Sequence, residues 1–174
     1  MMKIKRYITQ RAHFLIVIIL SLFSSCKYSE EYQAVNANNE FSITLPSWLK
    51  KEEGLKPGAA LQYANRYRNF YVIGETEPDT GNDISLLTTS YLNVLRNSMK
   101  DAVMTDSTAF NLREQKAIRV EIYGKMNGEN IYFSEMVVKG KGRFYHLSIW
   151  TRGEDRKLKY KEEINNMLLS FREI

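Results

Sequence analysis

Hydrophobic and polar positions divide the chain into a head, a polar stretch and a patterned body. Residues 14–23 (FLIVIILSLF) are an unbroken apolar run behind a basic start, residues 1–11 (MMKIKRYITQR). Residues 27–39 (KYSEEYQAVNANN) are polar, without a hydrophobic period, and read as a flexible tether. From Glu40 the pattern becomes structured. Phe41, Ile43 and Leu45 alternate with Ser42 and Thr44, the signature of a half-buried strand that Pro46 ends. Trp48 follows as a core plug under a loop spanning 47–56. A weak strand is expected over 60–68 and a stronger one over 70–75 (FYVIGE).

The period then changes. Leu87, Tyr91, Val94 and Leu95 fall on one helical face, and Asp83 is the expected N-cap of a helix reaching toward Lys100. A short extended piece is expected near residues 106–112, and three strands follow it. Residues 117–124 (AIRVEIYG) place Ile118, Val120 and Ile122 on one face. Asn127-Gly128 is a type I′ hairpin signal, and residues 130–139 form the return strand. Gly140-Lys141-Gly142 is the next turn, and residues 143–152 (RFYHLSIWTR) form the third strand. Tyr160, Ile164, Met167 and Leu168 mark the buried side of a final helix over 157–170, with Asp155 as a candidate cap.

In the return strand, Ile131, Phe133 and Val137 lie on one face and Tyr132, Met136 and Val138 on the other. Both faces of the meander are apolar, so both are expected to be covered. That pattern predicts an α+β domain, an α/β/α sandwich with a mainly antiparallel sheet.

An opening Phe41-Ser42-Ile43-Thr44-Leu45-Pro46 with Trp48 soon after resembles the start of PsbP-like domains. So do the strand with Arg143, Phe144, Tyr145 and Leu147, and the terminal Ser170-Phe171-Arg172. The resemblance covers most of residues 40–174. It implies an α/β/α sandwich in a superfamily of mostly accessory or binding proteins, whose best-known members support the photosystem II oxygen-evolving complex. No functional residue carries over from it.

Composition changes the reading of the head more than that of the body. Cys26 is the lone cysteine of 174 residues and excludes an intrachain disulfide. It stands directly after Leu22-Phe23-Ser24-Ser25, behind a basic region and a short apolar run. That order is a signal peptide ending in a lipobox, in which the thiol takes a diacylglycerol. The expected organisation is a lipoprotein signal peptide over 1–25, lipidated Cys26 with its tether over 26–39, and one domain over 40–174. Lys27, rather than Asp, beside the cysteine points to the outer membrane. Glu30 and Glu31 resemble an export tag, so the domain is expected to face the periplasm or the cell surface.

The formal charge of +5 misleads. Lys3, Lys5, Arg6 and Arg11 precede Cys26, and their removal from 25 basic residues leaves 21 against 20 acids, a net +1. A near-neutral domain gives no argument for nucleic acid as a partner. The expected partners are the bilayer, through acylated Cys26, and an envelope protein.

Candidate chemistry is sparse. His146 is the one histidine after Cys26, which does not furnish a zinc ligand set. Glu75, Glu77, Asp79 and Asp83 lack EF-hand spacing. No metal and no cofactor are expected. His146, Ser148 and Glu135 can be arranged as a triad on paper, but no nucleophile elbow is present, and a half-buried sheet histidine is the expected outcome. Glu121 and Glu135 are expected to point outward beside Arg119 and Lys139 as cross-strand ion pairs. No catalytic residue is assigned, and the chain is expected not to be an enzyme. The candidate partner-binding residues are Tyr63, Arg66, Tyr67, Arg68 and Tyr71, where aromatics and arginines interleave. The alternative is a small-molecule or glycan site on an aromatic-rich sheet face, in a pocket lined by Trp150, Phe144 or Tyr67.

Overall fold

A computed structural model describes residues 31–174 other than 154 and 155. The signal peptide, Cys26, Lys27, Glu30 and the proposed cap Asp155 lie outside the described residues. Ten strands and two helices follow in order. They are β1 (Tyr32–Ala37), β2 (Phe41–Pro46), β3 (Lys50–Lys51), β4 (Leu61–Asn65), β5 (Phe70–Pro78), α1 (Ile84–Ser98), β6 (Lys100–Leu112), β7 (Gln115–Met126), β8 (Glu129–Lys139), β9 (Arg143–Arg152), α2 (Arg156–Leu169) and β10 (Arg172–Glu173).

Seven strands form one sheet in the order β3-β4-β5-β9-β8-β7-β6, and three form a second in the order β1-β2-β10. Each pairing is antiparallel. The β7–β8 hairpin closes on Asn127 and Gly128, both with positive φ (53° and 84°), as the type I′ expectation requires.

One face of the large sheet meets α2 and the small sheet. Phe41, Ile43, Leu45, Val72, Met136, Leu147, Ile149, Ile164, Met167 and Phe171 join there in one apolar core. Gly74 is needed here, since a Cβ on it would lie 2.6 Å from the Phe41 ring. Trp48 packs edge-on against Phe70, with ring centroids 5.2 Å apart, and against Tyr160. The opposite face lies under α1. Its apolar contacts fall into two smaller groups, one around Ile122, Ile131 and Phe133 and one around Val137 and Phe144.

Four details differ from the sequence pattern. Residues 32–37, within the stretch read as tether, form β1 and pair with β2 along its whole length. The short extended piece near 106–112 is the end of a 13-residue strand. Backbone pairing forms both, so side-chain period does not reveal them. Val94 is 69% exposed, although Asp83 caps α1 as expected, accepting from the Ser85 N–H at 2.7 Å. The buried stripe instead runs through Ile84, Leu87, Thr88 and Tyr91, and Val94 lies off its edge. Finally, Glu121 and Glu135 do not point to solvent. They are 4% and 2% exposed, because a helix or strand layer covers each face of the central strands.

Candidate functional site

Three places concentrate polar chemistry: a buried cluster under α1, the turn between β4 and β5, and a basic cleft at one end of the sheets.

Strand register builds the first. His146 and Ser148 are two apart on β9, so both face α1. On β8, Glu135 stands directly opposite Ser148 and diagonal to His146. On β5, Glu75 stands directly opposite His146. The Glu135 carboxylate serves both β9 side chains. One oxygen lies 2.5 Å from His146 Nε2, and the other accepts from the Ser148 hydroxyl. Nδ1 of His146 faces a Glu75 oxygen at 3.5 Å, an ion-pair distance rather than a hydrogen bond. Lys56 pairs with the same Glu75 oxygen at 2.5 Å. Tyr91 of α1 stacks on the imidazole with centroids 3.8 Å apart, and its hydroxyl donates to Glu77 at 3.1 Å.

Burial by itself would push the His146 pKa down. The charge and hydrogen bond of Glu135, then the contact with Glu75, outweigh burial and raise it to about 9. Glu75 is held below the usual carboxylate range, by His146 foremost and against the cost of burial, with Lys56 adding to the effect. The cluster is therefore an imidazolium between carboxylates, capped by an aromatic ring.

This arrangement does not run triad chemistry. A serine nucleophile needs the imidazole as its base. Here the carboxylate sits between the two, and Ser148 donates to it. His146 and Ser148 are themselves buried, at 7% and 9% exposed. His146 is thus a buried, ion-paired histidine rather than a half-buried one. Its geometry fastens α1 to the sheet.

The aromatic-arginine stretch is divided by the fold. Tyr63 packs against the main core. Tyr71 faces the α1 side, stacked on Trp150 at 5.1 Å and 8% exposed. Arg66, Tyr67 and Arg68 remain together in the β4–β5 turn. Arg66 Nε donates to Glu52 at 2.8 Å, and the Arg68 guanidinium lies 4.4 Å from the Trp48 ring centroid. Tyr67 is 94% exposed. Trp150, Phe144 and Tyr67 do not meet. Trp150 joins the Phe133 group, Phe144 the Val137 group, and Tyr67 stands at the turn.

Glu75, Glu77, Asp79 and Asp83 also separate. Glu75 faces His146, Glu77 accepts from Tyr91, Asp79 pairs with Lys139 at 3.1 Å, and Asp83 caps α1. Among the described residues, no group of three or more side chains is placed to hold a metal ion.

The third place is a cleft of about 860 Å³. Arg113 and Lys116 line it at the β6–β7 end, Lys139 and Lys141 at the β8–β9 end, and Arg172 and Glu173 from β10. Glu173 braces it. One of its oxygens accepts from the Lys141 N–H at 2.9 Å and the Tyr145 hydroxyl at 3.0 Å, and the other accepts from Gln115 Nε2 at 2.6 Å. Gly140 allows this approach, because a Cβ there would stand 2.6 Å from the Glu173 carboxylate.

No protein-family model matches the sequence, and no curated protein matches it. Solved structures do match. The structure of CyanoP, the cyanobacterial PsbP of Synechocystis, superposes with a TM-score of 0.64 at 13% identity, over 86% of this chain and 98% of that one. The fold is PsbP-like. Saccharomyces cerevisiae Mog1p, a Ran-binding protein, gives 0.61 at 9% identity over 83% and 96% of the two chains. LpqN of Mycobacterium tuberculosis, involved in cell envelope biogenesis, gives 0.56 at 12% identity over 83% and 91%.

Within this PsbP-like frame, the sequence pattern brought His146, Ser148 and Glu135 together but not Glu75 and Tyr91, and it did not point to the cleft. A signal existed for part of the cluster. Pairing outward from the Gly140–Gly142 turn sets Glu135 against Ser148. The Glu75–His146 pairing joins strands 71 residues apart, and no local signal announces it. The cleft likewise gathers residues from three segments far apart in sequence.

Proposed function

We propose that this chain is an envelope lipoprotein, anchored to the outer membrane through acylated Cys26, whose PsbP-like domain is a non-enzymatic protein-binding module. The anchoring rests on the order of basic region, apolar run, small residues and lone cysteine. The binding role rests chiefly on one observation: Tyr67 stands 94% exposed between two arginines that are themselves pinned. An aromatic displayed beside arginine is the composition of interface anchors. Arg66 and Arg68 are already positioned by Glu52 and Trp48, so less rotamer freedom is lost on docking. Membership of Mog1p and LpqN among the structural neighbours supports a role in binding or envelope assembly.

Two measurements test this reading. Palmitate labelling of cells making the full chain should mark the protein and be abolished by Cys26→Ala; label retained by that variant removes the anchor. A photo-crosslinking residue at position 67 should capture a specific envelope protein on intact cells. Capture that is the same from an exposed control position, such as 94, would dismiss the turn as a binding face.

A further inference from the structure

The basic cleft has no part in either reading above. Three of its cations, Arg113, Lys141 and Arg172, have no carboxylate partner among the described residues, while Lys116 acts electrostatically on Asp83. Arg113 reaches the Phe171 carbonyl at 3.5 Å, and Lys139 is neutralised by Asp79. Glu173 is engaged by three donors, so its lone pairs are directed into the wall. Like charges gathered around one hollow repel one another, and an anion placed among them relieves that repulsion.

We propose that this cleft docks an extended acidic segment of a protein partner. The inference rests on the reading of the chain as a protein-binding module and names the chemistry of the partner. Two observations fix the class. First, about 860 Å³ with cations on three separate segments is far larger than a single phosphate needs and matches several residues of extended chain. Second, Glu114 and Glu173 share the lining with the cations, and no aromatic side chain lines it. A phosphodiester strand would find no ring for stacking. A peptide, in contrast, carries backbone N–H donors for the Glu114 carboxylate and side-chain carboxylates for the cations.

Fluorescence anisotropy with the full chain in neutral detergent tests the proposal, using a labelled hexaglutamate peptide as probe. The peptide should bind, and added salt should weaken it. Lys116→Glu with Arg172→Glu should reduce affinity by about tenfold or more, as expected for reversing two exposed charges. Lys161→Glu, on the exposed side of α2, should leave it unchanged. Lys116→Gln with Arg172→Gln gives a smaller loss in the same direction and serves if the reversal impairs folding. Absence of peptide binding, or binding indifferent to these changes, overturns the proposal. So does tighter binding of inorganic polyphosphate, or of micelles doped with phosphatidylglycerol, at equal charge. A partner crosslinked from position 67 in the absence of peptide binding would leave the module reading standing and remove the cleft alone.

Discussion

The two faces of the seven-stranded sheet are held by different physics. On the α2 side, one continuous apolar core joins both sheets and the helix, and Phe41, Leu45, Met167, Leu168 and Phe171 are all fully buried. Burial of this kind is non-directional and scales with area. On the α1 side, two small apolar groups flank an ionised cluster, and Ile84 and Thr88 are the buried residues of the helix. That helix depends on Tyr91, which stacks on His146 and bonds Glu77. The first face tolerates no loss of volume. The second tolerates no loss of a partner.

The largest expected effect therefore lies on the apolar face. Phe171 packs against Phe41 and Tyr145, with centroids 5.6 and 5.1 Å away. Phe171→Ala should cost about 3–5 kcal/mol, the range for truncating a buried aromatic, read as a lowered denaturant midpoint. An undiminished midpoint would mean this face is not the main support.

Next is the polar face. Glu135→Leu leaves the His146 imidazolium and the Ser148 hydroxyl without their common acceptor and should cost about 3 kcal/mol or more. Glu135→Leu combined with His146→Leu should recover much of that loss, since a matched apolar pair avoids burying an unpaired charge. If the double variant is as unstable as the single one, packing rather than charge pairing holds α1.

The pH dependence separates the faces more finely. His146 has its folded pKa raised from 6.5 to about 9, through Glu135 and Glu75 against the opposing effect of burial. Its contribution is fully present below pH 6.5 and is lost as pH rises through about 9, amounting to no more than about 3 kcal/mol. The groups facing it are Glu75, Glu135, Ser148 and Tyr91. Stability measured from pH 6.5 to 9.5 should fall in the parent and stay nearly level in His146→Phe. Parallel curves would show that His146 is not the titrating group.

The smallest expected effect is at Tyr67→Ala, within about 0.5 kcal/mol of the parent, because the side chain touches little. A marked loss of stability would show that Tyr67 supports the turn instead of standing free for a partner.

The meander was legible because alternation and turn chemistry agree there. Ile118, Val120 and Ile122 share a face, Asn127-Gly128 closes the hairpin, and Asp83 caps α1. The fold divided the candidate binding stretch. Its alternating residues 63 and 71 belong to strands whose opposite faces are both covered, which left Arg66, Tyr67 and Arg68 as the displayed portion. The acids Glu121 and Glu135 misled for the same reason. In a strand covered on both faces, a polar residue has no solvent side to occupy.

Local pattern, by itself, determined the meander strands, the two helices, the α+β class and the expectation of a lipidated Cys26, since each depends on neighbours along the chain; β1 and the length of β6 came only from backbone pairing. Tertiary structure alone decided that Glu75 meets His146, that Glu173 braces two distant turns, and that three cations without carboxylate partners face one hollow. Those contacts join segments tens of residues apart. Their energies arise from burial and charge pairing that exist only after the sheets have assembled.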